Sequence, residues 1–218
     1  MENLYLKYEM KKHANYFILP SYTFGKACDN AYADMARHVL HIVEKPFGDK
    51  SVRETAKEEA KNFLKVQLRV VRFKSQNDFD KWHTGTCREL IKIYKRNECF
   101  DENEQPSFTY GHAQKWLNML FKYLYVYEYS DEFKDFFKDK AELTKLLHVP
   151  IDAKILEEAH KTFGLKKPNC GWSQMDENTY RDYQQELRNK ITKNLDPPCG
   201  KEDGKIPFYW KLMLWSKS

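Results

Sequence analysis

The chain has 218 residues, 37 Lys+Arg against 32 Asp+Glu for a net charge of +5, and is 41% hydrophobic and 15% aromatic. That much ring area excludes wholesale disorder, and no apolar run approaches the ~18 residues of a membrane span. Five cysteines at irregular spacing point to free thiols in a reducing compartment rather than a disulfide scaffold, so the chain reads as cytoplasmic. Met1-Glu2-Asn3-Leu4-Tyr5 carries no basic-then-apolar signal pattern.

In chain order, residues 1–29 read as an irregular arm, with Tyr16-Phe17-Ile18-Leu19 stopped by Pro20. Ala31, Met35, Val39 and Ile42 keep helical spacing and predict a helix over 31–44, ended by Lys45-Pro46-Phe47-Gly48. Ser51 with Glu54 makes a capping box for the next helix. In it Ala56, Ala60, Phe63, Val66, Val70 and Phe73 form the expected core row. Asp78 is the expected cap of a helix over 79–96, interrupted near Thr84-Gly85-Thr86. Residues 101–107 read as an exposed loop.

Ser107 or Thr109 caps a strong helix over 110–127. There Trp116, Leu117, Leu120, Phe121 and Leu124 outweigh the strand-like alternation of residues 123–127. Residues 131–147 predict one or two helices, broken at Val149-Pro150. A helix over 151–163 stops at Gly164, in the position of a C′ glycine. Residues 165–175 form a loop. Tyr180, Tyr183, Leu187 and Ile191 mark the last long helix, and 196–218 read as a tail whose aromatic end packs back on the body. The fold class is all-α: a single multi-helix domain over residues 1–218.

Charge is unevenly placed. Residues 1–100 hold 19 Lys+Arg against 13 Asp+Glu, and residues 101–218 hold 18 against 19. Arg53, Lys57, Lys61, Lys65 and Arg69 recur every fourth residue and make a basic ridge along one helix. Such a ridge can follow a phosphate backbone. It is equally what a solvated helix face looks like, with Glu54 and Glu58 beside it.

Gly-rich phosphate loops, H-E-x-x-H, paired CxxC and G-x-S-x-G motifs are absent from the sequence. Cys28, Cys87, Cys99, Cys170 and Cys199 are too dispersed for a local zinc knuckle, and convergence of Cys170, Cys199, His148 and His160 has no short ligand spacing to support it. No metal and no cofactor is expected. Two clusters carry chemistry. In Phe79-Asp80-Lys81-Trp82-His83, His83 beside Trp82 reads as a general base or stacking pair, against the commoner arrangement of a core tryptophan with a surface histidine. In Gly111-His112-Ala113-Gln114-Lys115-Trp116-Leu117-Asn118, Lys115 sits in the first turns of an apolar helix. Helix-dipole charge and low-dielectric neighbours both favour its neutral amine, the nucleophilic form.

His148-Val149-Pro150-Ile151-Asp152-Ala153-Lys154-Ile155-Leu156 resembles the V-P-[VI]-D segment of the helix–hairpin–helix DNA glycosylases of the 8-oxoguanine type, over residues 87–163. In that family the aspartate opens a helix and faces a lysine at the start of the hairpin's second helix. The lysine attacks the sugar C1′ to form a Schiff base, and the aspartate assists departure of the base. The resemblance implies a DNA-binding, base-excising protein. Asp152 would be the aspartate and Lys115, following Gly111, the lysine. Trp116 or Trp172 would stack the extruded base, and the ridge from Arg53 to Arg69 would hold phosphates. A cap after a proline explains Asp152 without catalysis. The alternative function is a non-catalytic helical module, regulatory or defence-related, that binds protein or nucleic acid with the ridge as its surface.

Overall fold

The computed structural model describes residues 23–37, 39–126, 140–194 and 205–216. Among them are eight α-helices and one two-residue-per-strand ribbon, so the chain is a single all-α domain. None of these helices is long and apolar enough to cross a membrane.

Helix α1 (Phe24–Ala36) starts earlier than the sequence spacing predicts, inside the expected irregular arm. The Thr23 side chain accepts the Lys26 N–H and caps it, which draws Asp29 and Asn30 into the helix. It also ends earlier, and the following residues lead to the antiparallel pair β1 (Pro46–Phe47) and β2 (Lys50–Ser51), turned by Gly48 at φ 62°. The rest of the arm, residues 1–22, lies outside the described residues.

Helix α2 (Val52–Val70) opens on the expected capping box of Ser51 and Glu54. Its buried row is Val52, Ala56, Ala60, Leu64 and Leu68, which keeps Ala56 and Ala60 of the row read from the sequence, with Phe63 and Phe73 partly buried against the core. An i, i+4 row drifts about 40° per turn. By the C-terminal end the core face has rotated away from Val66 and Val70, which are 58% and 73% exposed.

Helix α3 (Gln76–Arg96) is capped by Ser75, whose hydroxyl accepts the Asp78 N–H, and it runs unbroken through Gly85. Residues 101–105 are indeed a surface loop, closed by a bridge between Phe100 and Pro106. Helix α4 (Tyr110–Val126) is the centre of the molecule. Thirteen of its seventeen residues are buried, as in a helix covered on all sides. It packs on α1, α3 and the 3₁₀ turn Trp172–Gln174.

Helix α5 (Lys140–Leu146) leads to an extended segment at 148–152; the rest of the predicted helical stretch, 131–139, lies outside the described residues. Helix α6 (Ala153–Phe163) ends at Gly164 with φ 66°, the left-handed cap the sequence predicts. Helix α7 (Glu177–Asn194) buries Tyr180, Tyr183, Leu187 and Ile191 as expected and is tied to α3 by the fork between Arg88 and Glu177, 2.7 Å at each nitrogen. Of the tail, Pro207–Ser216 form helix α8, which packs Phe208, Tyr209, Trp210 and Leu212 into the body; residues 195–204 lie outside the described residues.

Candidate functional site

The first turn of α4 is built around close backbone contacts. The Thr109 hydroxyl oxygen accepts the His112 N–H at 3.3 Å and caps the helix. The Gly111 N–H donates to the Met175 carbonyl at 3.1 Å. A Cβ on Gly111 would run into the carbonyl of Trp172 and the backbone of Ser173, so only glycine lets this segment lie across the helix start. That approach places the Trp172 ring over the Lys115 amine, with Nζ 4.3 Å from the ring centroid.

The facing wall is the extended segment 148–152. Asp152 caps α6, its Oδ1 accepting the Ile155 N–H at 2.9 Å. Its other oxygen, Oδ2, lies 3.7 Å from Lys115 Nζ. The two side chains are 11% and 18% exposed, so the pair sits at the edge of the interior and keeps contact with solvent. Asp152 is therefore both the helix cap and the partner of Lys115.

The electrostatics favour a reactive amine. Burial pushes Lys115 below the usual lysine range, Asp152 and Asp34 pull it partway back, and Arg37 adds to the depression. Two more buried lysines share this field. Burial and the charge of Lys211 bring Lys122 down to about 8, and burial likewise depresses Lys211, which Asp152 partly restores. A lysine beside a carboxylate, in a poorly solvated setting, can supply a neutral amine to an electrophilic carbon and hand its surplus proton to the neighbour.

Of the residues expected to bind nucleic acid, Trp172 is at the pair and Trp116 is not. Trp116 is fully buried, its indole N–H donating to the Cys28 carbonyl at 3.1 Å, so its ring is core rather than a stacking surface. Gly111 is covered by the Trp172–Ser173 backbone and presents no amide to a phosphate. The ridge flanks the buried row of α2 and turns partly onto its own fold. Lys57 and Lys61 both pair with Asp29 of α1, at 2.6 and 3.2 Å, and Arg53 pairs with Glu44 at 2.7 Å. Lys65 and Arg69 continue the ridge along α2.

His83 reverses its expectation: it is fully buried, while Trp82 is only partly so. It shares the core face of α3 with Phe79, Cys87 and Leu90. It belongs to a buried polar network that sequence spacing does not reveal. Its Nε2 meets Asn118 Oδ1 at 3.0 Å, so it donates there. Asn118 Nδ2 donates to the Tyr180 hydroxyl at 2.9 Å, and Gln184 Nε2 donates to the same oxygen at 3.2 Å. The Tyr180 proton is thereby directed to His148 Nδ1, 2.9 Å away, and His148 Nε2–H donates to Asp80 at 2.9 Å. Both nitrogens of His148 are engaged, which leaves it no lone pair for a substrate.

Burial alone would raise Asp80, but hydrogen bonds from His148 and Gln76 hold its carboxyl below the usual range. Asp80 opens onto a polar cleft of about 310 Å³ between α3 and α7, with Arg181, Gln184 and Arg188 on the other side. The legible signal for this network is two glutamines and an asparagine, Gln114, Asn118 and Gln184, on the apolar faces of α4 and α7.

Burial raises the thiols of Cys28, Cys87 and Cys99, the last to about 12, which makes them inert packing groups. Among the described residues no three His, Cys, Asp or Glu side chains converge as a metal site requires. No protein-family model, curated protein or solved structure gives a significant match to this chain.

Proposed function

We propose that the chain is a DNA-binding, base-excising enzyme in which Lys115 is the nucleophile and Asp152 its acid–base partner. The observation that carries this reading is the approach of Lys115 Nζ to Asp152 Oδ2, 3.7 Å apart at the edge of the interior. The two residues are the ones the glycosylase resemblance pairs. Asp152 opens a helix, as that resemblance implies, and Lys115 lies in the second turn of another, further into its helix than the lysine of that family.

In this reading the amine lone pair of Lys115 attacks C1′ of an extruded nucleotide and the bond to the base breaks. The base leaves with the bonding electrons, and Asp152 takes the proton released from the new ammonium and passes it to the departing base. Opening of the sugar ring, with the remaining N–H proton passing to the ring oxygen, then gives an imine between Lys115 and C1′, which water hydrolyses to free the lysine. The depressed proton affinity of Lys115 favours the neutral amine the first step needs. Trp172 is the aromatic group beside the reacting atoms. The ridge from Arg53 to Arg69 along α2 is the surface that would meet phosphates. The free thiols Cys28, Cys87 and Cys99 agree with a reducing cytoplasm.

Borohydride trapping on a panel of abasic and base-lesion duplexes tests the reading. The expected result is a covalent protein–DNA adduct that falls at least 100-fold in Lys115→Ala and is weakened in Asp152→Asn. No adduct across the panel, or one that survives Lys115→Ala, removes Lys115 from this role.

A further inference from the structure

The Lys115–Asp152 approach is not self-locking. At 3.7 Å it is longer than a tight charge-assisted hydrogen bond, and Asp152 Oδ1 is already committed to capping α6. Where Oδ2 points depends on where the backbone of residues 151 and 152 is held. That backbone has no strand neighbour among the described residues. Two glutamine side chains take the place of one. Gln114 Oε1 accepts the Ile151 N–H at 3.1 Å, and Gln114 Nε2 donates to the Ile151 carbonyl at 2.8 Å. Gln184 does the same at Val149, its Oε1 accepting the N–H at 3.4 Å and its Nε2 donating to the carbonyl. Residues 149 and 151 flank Pro150, which has no N–H to offer. Each carboxamide pairs with one residue as a neighbouring strand would.

The Gln114 carboxamide is itself fixed. It is fully buried; Asn118 Nδ2 donates to its Oε1 at 3.3 Å and its Nε2 also reaches the Gly111 carbonyl at 3.0 Å. The amide therefore has one orientation. Gln114 and Lys115 are consecutive on α4, and Ile151 and Asp152 are consecutive on the facing segment. The backbone clamp and the ion pair are thus set in one register.

We propose that Gln114 is the positioning residue of this site: its carboxamide, paired with both backbone groups of Ile151, holds the Asp152 carboxylate against Lys115. The proposal rests on the pair being the functional centre, but its test is independent of DNA chemistry.

The charged and titratable groups around the amine are Asp152, Asp34 and Arg37, with the buried Lys122, Lys211 and His112 in the same field. The pH dependence of Lys115 methylation by formaldehyde and cyanoborohydride, read at that residue by mass spectrometry, reports its titration midpoint. Removing the partner charge in Asp152→Asn lowers the midpoint. Gln114→Met, which keeps the volume, lowers it by the same amount, and the double variant goes no lower than either single one. Gln184→Met loses comparable stability and leaves the midpoint in place, because Ile151 is still held. A Gln114→Met midpoint that is unchanged or raised, or an effect that adds in full to that of Asp152→Asn, overturns the proposal.

Should Gln114→Met not fold, the wild-type chain still decides. The clamp requires the Ile151 amide to exchange with deuterium as slowly as the interior amides of α4; rapid exchange at Ile151 overturns it. A chain that traps no DNA yet shows the coupled titration fails the proposed function and keeps the positioning role.

Discussion

The Lys115 amine lies over the face of Trp172, 4.3 Å from the ring centroid, and on its other side 3.7 Å from the Asp152 carboxylate. The carboxylate and the ring face both stabilise the ammonium. The ring and the backbone beneath it also help to bury the amine, and loss of hydration is the larger effect.

Trp172→Ala should therefore return Lys115 toward the ordinary lysine range, opposite in direction to Asp152→Asn. The methylation midpoint reports this directly. The lost ring costs about 3 kcal/mol of stability, as for a large aromatic removed from a nearly buried site, measured by urea unfolding. A midpoint that stays put in Trp172→Ala would mean the ring is not what excludes water from the amine.

Two glycines on neighbouring helices separate packing from propensity. A Cβ on Gly111 meets the Trp172 carbonyl and Ser173, whereas one on Gly85 meets nothing within 4 Å. Gly111→Ala should destabilise by about 3 kcal/mol, since the obstacle is backbone and cannot rotate aside. It should also displace Trp172 and raise the Lys115 midpoint. Gly85→Ala, in the middle of α3, should stabilise by roughly 0.5–1 kcal/mol through helix propensity alone. Equal effects from the two substitutions would contradict the tight approach at Gly111.

The His83 and His148 rings are 4.6 Å apart in the core. Burial holds both below the usual histidine range, His83 far below it, with His148 opposing His83 further. Each folded value lies beneath the unfolded one. As pH falls through about 6.5 the unfolded chain takes up protons that the folded chain refuses. Stability is full above that pH and declines below it, by up to about 1.4 kcal/mol per pH unit for each histidine. Asp80, with its depressed carboxyl, adds a further loss at more acid pH. Urea midpoints between pH 7.5 and 4.5 measure the decline, and His148→Asn should flatten part of it. Stability that is level from pH 6.5 to 5 would show that the two rings are protonated in the fold.

Much of the site was legible because it depends on local chemistry. A residue after Val149-Pro150 that can cap a helix, and a lysine at the start of an apolar helix, are both patterns within a few residues. Ser51 with Glu54, Gly164 and the row Tyr180, Tyr183, Leu187 and Ile191 were legible for the same reason. What escaped was long-range. Val66 and Val70 sit at apolar spacing, but α2 packs chiefly on α3 and buries the face that carries Ala56, Ala60, Leu64 and Leu68. Trp116 and Trp172 look alike as stacking candidates, and only the packing of α4 decides that one is core and the other lies over the amine. The Gln114 and Gln184 clamps join elements far apart in the chain, and no periodicity records a side chain that substitutes for a strand.

Lys122 offers the last test, at alkaline pH. It is 2% exposed, and burial with the charge of Lys211 brings it to about 8, against the ordinary 10.5. Below pH 8 the folded chain carries this ammonium at a cost. Between about pH 8 and 10.5 the folded lysine is neutral while the unfolded one is still protonated, so the unfolded state binds more protons and stability gains with rising pH. Other groups oppose this: the raised thiols of Cys28 and Cys87 favour unfolding as the pH climbs above about 9. The comparison must therefore be between wild type and Lys122→Met, which shares those thiols. Any advantage of the methionine at pH 7 should shrink by about 3 kcal/mol as the pH rises to 10.5. A difference between the two chains that is constant across that range would mean Lys122 titrates alike in the folded and unfolded states, and that its burial is offset by a partner charge.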